Sequence, residues 1–106
     1  MLSNDLRIGR VQTALPAEGL HKPAYILTID LGPELGLKTS SAQLTVRYRA
    51  EELVDRLVIC ACDLEPRQIG RYRSEVLVLG VDIDDELGGV GLLAPDASAT
   101  PGTPVY

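Results

Sequence analysis

Short runs of β-branched and aliphatic residues, each ended by glycine, proline or a charged cluster, organise this chain. Leu6, Arg7 and Ile8 alternate apolar and polar, Gly9 interrupts, and Val11 resumes on the opposite parity. A glycine inside a strand pattern predicts a β-bulge there, which lets one strand bend and serve two sides of a small barrel. Residues 16–23 read as a loop, and residues 24–30 as a second strand rich in β-formers. Gly32-Pro33 and Gly36 bracket a turn before a third strand at residues 37–44. That strand is unusually polar. Residues 49–55 hold one or two turns of good helix formers around Ala50, Glu51, Glu52 and Leu53. Residues 57–62 predict a buried strand, 63–73 a loop with Pro66 and Gly70, and 75–81 another strand whose residues 76–79 belong to the core. An acidic turn at 82–89 leads to a last short strand at 90–93, then to an extended tail punctuated by Pro95, Pro101 and Pro104.

The pattern therefore predicts an all-β protein with one short helix between the third and fourth strands. A bulged first strand and a helix at that position suggest a five-stranded Greek-key OB-fold barrel, with an SH3-like barrel as the structural rival. At 106 residues without internal repeats, residues 1–106 form one domain with a core of its own.

Composition narrows the function. The apolar fraction of 45% and charged fraction of 24% are those of an ordinary globular protein. No apolar run approaches the roughly 18–20 residues that span a bilayer, so no membrane insertion is expected. Met1-Leu2-Ser3-Asn4-Asp5 lacks the basic-then-apolar order of a signal peptide, which places the protein in the cytoplasm. Charge divides unevenly. Residues 1–73 carry every Lys and Arg and a net +1, whereas residues 74–106 carry only acids and a net −6. An overall charge of −5 thus leaves room for a basic face on the first two thirds.

Catalytic and metal chemistry find little support. Cys60 and Cys62 share one strand face and read as two small core hydrophobes, because a redox or metal role calls for Cys-x-x-Cys spacing or further ligands. A single histidine, His21, does not complete a zinc site. Ser74-Glu75 has no histidine or lysine placed to activate the serine, which argues against a hydrolase. No cofactor, no metal and no enzymatic activity are expected.

Two segments stand apart, residues 38–43 (Lys-Thr-Ser-Ser-Ala-Gln) and 71–80 (Arg-Tyr-Arg-Ser-Glu-Val-Leu-Val-Leu-Gly). With Leu6-Arg7-Ile8-Gly9, Lys22-Pro23-Ala24-Tyr25 and Ile29-Asp30-Leu31-Gly32, they occur in the order and spacing of the CsaA family. The chain resembles that family from Leu6 to Tyr106. The resemblance implies an OB-fold homodimer that binds tRNA, and an export-related chaperone that binds unfolded polypeptides or preproteins. Relatives often carry Asn-Phe-Pro-Pro after the fourth strand, where this chain has Asp63-Leu64-Glu65-Pro66; they also carry a longer helical lead before the first strand.

OB-folds bind nucleic acid on the face of strands two and three, using cations for phosphate, flat groups for stacking and polar groups for base edges and 2′-hydroxyls. The candidate tRNA-binding residues are Lys38, Ser40, Ser41, Gln43, Arg47, Arg67, Arg71, Arg73 and Ser74. Lys38 supplies salt-dependent phosphate affinity; Ser40, Ser41 and Gln43 donate and accept hydrogen bonds. The same strand reads alternatively as a polar edge whose hydroxyls satisfy backbone groups, or as a dimer contact. Arg47-Tyr48-Arg49 and Arg71-Tyr72-Arg73 each place two guanidinium groups on one strand face and a ring on the other. Their alternative is a tyrosine anchored in the core among solvated arginines. With four tyrosines and no Phe or Trp, recognition of a folded RNA by shape and backbone suits the chain better than broad single-strand stacking.

Overall fold

The computed structural model describes residues 5–106. The chain start, on which the expectations about a signal peptide and a short lead rest, lies outside them apart from Asp5. The fold is built on β1 (Leu6–Pro16), which is long enough to serve two neighbours. Its first half pairs antiparallel with β4 (Leu57–Ala61) and its second half with β2 (Tyr25–Asp30). The register shifts between Val11 and Thr13, so the bulge falls at Gln12 and not at Gly9. One extra residue flips strand parity, which is why Val11 and Ala14, three apart, both face the core. Gly9 pairs in register with Val58 and has a packing role. A Cβ there would lie 2.5 Å from Ile29 Cγ2, so the core side chains of β2 cross directly over its backbone.

The one-turn helix α1 (Gly32–Leu35) links β2 to β3 (Leu37–Ala42), and α2 (Ala50–Leu53) stands between β3 and β4 as expected. The main sheet is completed by β7 (Leu77–Val78), in the order β3-β2-β1-β4-β7. The barrel closes where Glu75 and Val76 donate backbone hydrogen bonds to the Thr39 carbonyl, at 2.8 and 3.3 Å. This is the OB-type barrel predicted from the strand pattern. Leu27, Ile29, Leu31, Leu53, Val11, Val58 and Cys60 are fully buried at its centre. Each such aliphatic side chain stabilises the fold by roughly 1.5–3 kcal/mol.

Three expected elements differ. Residues 63–73 are not a plain loop, because β5 (Arg67–Ile69) and β6 (Tyr72–Ser74) form a hairpin across Gly70. Strands of three residues are too short to show a period against the flanking Pro66 and Gly70. The strand expected at residues 75–81 is divided between β7 and β8 (Gly80–Asp82), and β8 leaves the main sheet to pair with β9 (Val90–Leu92). Val76 is core, but Leu77 is 49% exposed. Cys60 is buried as expected, whereas Cys62, at the strand end, is only half-buried.

The tail is extended, and its position is informative. Gly102 donates to the Ile8 carbonyl, Ile8 to Thr103 and Val105 to Leu6, at 2.7, 3.0 and 2.7 Å. The tail thereby pairs with the edge of β1 that β2 does not reach, covering an otherwise open strand edge.

Candidate nucleic-acid interface

The two sequence segments that stood out meet in space along the outer edge of β3. The Ser41 backbone N–H donates to Ser74 Oγ at 3.0 Å. The Thr39 N–H donates to Glu75 Oε1 at 3.0 Å, and the Thr39 hydroxyl donates to the Arg73 carbonyl at 2.7 Å. The Thr39 N–H above all, then its hydroxyl, with Lys38 and Arg73 nearby, holds the Glu75 carboxyl below its ordinary range. Ser74 and Glu75 therefore complete the barrel with side-chain oxygens where a strand would have used carbonyls.

Beside this seam lies a cleft between the β1–β2 loop, β3 and the β5–β6 hairpin. It has two compartments of about 250 and 460 Å³ that share Ser41 and Ile69. The smaller is lined mainly by apolar side chains, Leu64, Ile69, Val76 and Leu77, with Arg67, Glu65 and Glu75 around them. The larger is lined by His21, Lys22, Ser41 and Gln43, with Leu20 and Gly70 among its walls. Leu20 packs so closely over Gly70 that a Cβ there would lie 2.5 Å from Leu20 Cδ2. The Tyr72 hydroxyl accepts a hydrogen bond from Glu18 N–H at 2.9 Å, and Arg71 lies 3.6 Å from the Glu18 carboxylate. Both contacts tie the β1–β2 loop to the β5–β6 hairpin and set the width of the cleft.

The predicted site residues separate into distinct fates. Ser41, Gln43 and Arg67 line the cleft. Arg73 is exposed on β6, and Lys38 is half-exposed on β3 without lining either compartment. Arg71 is exposed at the hairpin turn in its loose pair with Glu18. Ser74 lines the smaller compartment, but its hydroxyl is engaged with Ser41 and Val76. Ser40 corrects an expectation: it is 0% exposed and its side chain points into the barrel, so it cannot touch a ligand. Successive side chains of a barrel strand point to opposite faces, and Ser40 sits where its face is turned into the core. Arg47 is a second correction. It donates to Asp85 and to the Gly88 carbonyl at 3.0 and 2.9 Å, fixing the acidic turn, and it holds the Asp85 carboxyl below its usual range. Its charge is committed within the fold.

Tyr25, Tyr48 and Tyr72 likewise serve the fold. The Tyr48 hydroxyl accepts from Leu92 N–H, its carbonyl accepts from the Tyr25 hydroxyl, and Arg56 lies 5.0 Å over its ring. Arg49 belongs to a capping box with Glu52 on α2. Among the described residues, Lys22, Lys38, Arg67 and Arg73 are the cations with no ion pair, hydrogen bond or ring contact. All four lie on or beside the β3 and β5–β6 face. Lys22 and His21 were not singled out from the sequence as site residues; the basic Lys22 followed by Pro23 at a strand entry was the available signal. Burial pushes the Cys60 thiol up to about 12 and the Cys62 thiol to about 11, so neither offers a thiolate at neutral pH. Among the described residues no cluster of His, Cys, Asp and Glu could hold a metal ion.

Residues 6–104 match the tRNA binding domain family. The chain belongs to that family. It is 38% identical over 98 residues to a methionine–tRNA ligase of Leptospira biflexa, covering 92% of this chain. It spans only 14% of that ligase, so the likeness concerns one region of a much longer protein. Two solved structures match along nearly their whole length. The CsaA chaperone protein from Picrophilus torridus superimposes with a TM-score of 0.87 at 38% identity, covering 96% of this chain and 91% of that one. Chaperone CsaA from Bacillus anthracis gives 0.86 at 39% identity, covering 96% and 90%. The resemblance read from the motif segments together is thus shown, and the matched region is a binding domain rather than a catalytic one.

Proposed function

We propose that this chain is a non-catalytic tRNA-binding module that acts in the cytoplasm as a single domain and a homodimer. The observation that carries the reading is the cleft itself. Ser41, Gln43, Lys22 and Arg67 line it with side-chain polar atoms that no intramolecular hydrogen bond or ion pair occupies. Lys38 and Arg73 extend the positive surface for phosphates alongside, and Arg71 rims it. A dimer would bring two such modest faces to one RNA, and effective concentration would strengthen the pair beyond either alone. Leu15, Leu37 and Val46, each more than half exposed, offer apolar surface for a second copy. The test is titration of bulk tRNA at about 50 and 200 mM salt, where phosphate contacts predict a steep loss of affinity. No binding at the lower salt would refute the reading.

A second reading, chaperoning of unfolded polypeptides or preproteins, draws support from the compartment walled by Leu64, Ile69, Val76 and Leu77. A client would seat apolar side chains there, since the tail already occupies the free edge of β1. Slowed aggregation of a denatured client that is weakly salt-sensitive and unaffected by Arg67→Ala would favour it; absence of any effect at equimolar dimer would remove it.

A further inference from the structure

The larger compartment of the cleft differs in kind from a phosphate-binding surface. We propose that it receives one unpaired nucleotide, with Gln43 reading the base edge, so that the protein prefers RNA carrying an extruded base over continuous duplex. The inference rests on the tRNA-binding reading and deepens it.

Five observations converge. The compartment, about 460 Å³, falls in the range of roughly 300–1,000 Å³ typical of small-molecule sites, whereas a flat face suffices for backbone contacts. Leu20 and Ile69 supply apolar walls against which a base can lie, one of them pressed onto Gly70. Gln43 is exposed and its amide makes no intramolecular hydrogen bond, so donor and acceptor are both available. A primary amide matches the N6 and N7 pair of adenine with both bonds at once. The Ser41 hydroxyl, also unengaged, stands on the same wall. His21 and Lys22 are exposed on the opposite loop, where the phosphate of a seated nucleotide meets a cation. Paired bases inside a duplex cannot reach such a recess, whereas bulges and loops display their edges freely.

The experiment compares a blunt-ended RNA duplex with the same duplex carrying a single bulged adenosine, with bulk tRNA as the reference ligand. The native protein should bind the bulged RNA about tenfold or more tightly than the blunt one. Gln43→Ala, at an exposed position, should remove that preference while keeping the salt dependence of tRNA binding. Ser41→Val, which keeps the backbone bond to Ser74, should reduce it. Equal affinity for both duplexes, with tRNA still bound, would overturn the nucleotide recess and leave the tRNA reading intact. A preference that survives both variants would overturn its assignment to this compartment. Loss of binding to all three RNAs by the native protein would overturn both readings.

Discussion

The Glu75 carboxylate and Thr39 close the barrel between them: Oε1 accepts the Thr39 N–H at 3.0 Å and stands 3.1 Å from the Thr39 hydroxyl. Because the ionised form takes these bonds, the Glu75 carboxyl is held below its usual range. The folded value is lower than the unfolded one, so this contribution is present above the unfolded pKa and is lost as pH falls through the folded pKa. Glu75→Ala should cost about 1–2 kcal/mol at neutral pH, and Glu75→Gln, which keeps one acceptor, less. The gap in denaturation midpoint between native protein and Glu75→Ala should shrink as pH drops below about 4.5, the ordinary glutamate value. A gap that is constant down to strong acid would refute the account.

Ser40 presents the opposite case. Its hydroxyl is buried and has no hydrogen-bond partner. An unsatisfied buried hydroxyl costs roughly 1–3 kcal/mol. Ser40→Ala should therefore leave thermal stability unchanged or raise it by up to about 1 kcal/mol, with tRNA affinity unaltered. A drop in affinity without unfolding would show that this side chain reaches the surface after all.

The arginines should separate by what they touch. Arg67→Ala and Arg73→Ala should weaken tRNA binding with little change in melting temperature, each lowering the slope of log affinity against log salt by about 1. Arg47→Ala should do the reverse, loosening the acidic turn it shares with Asp85 while sparing RNA affinity. Paired melting curves and salt titrations distinguish the two groups.

The thiols supply a check on the core. With Cys60 pushed to about 12 and Cys62 to about 11 by burial, neither should react with a disulfide reagent at pH 8 on the timescale of a free thiol. Both should react at once in denaturant. Rapid labelling of Cys60 in the native protein would contradict its burial on β4.

Much of this was legible in the sequence because it rests on period and local chemistry. Alternation along β1 and β2 and the continuous apolar run of β4 specify strands that must be buried on one face or on both, and the helix formers at Ala50–Leu53 need only their neighbours. The two motif segments marked the side of the barrel that carries the cleft, because clustered hydroxyl, amide and basic groups mostly stay out of a core. What the tertiary structure alone decided is which of those groups remain available. Parity cannot tell which face of a curved strand is inside, so Ser40 and Ser41 looked alike until barrel closure buried one and left the other lining the cleft. Nor can it show that Arg47 meets Asp85, 38 residues away, or that Lys22 and His21 arrive opposite Gln43. Those pairings depend on contacts distant in the chain, whose cost in loop entropy is met only when the whole sheet is assembled.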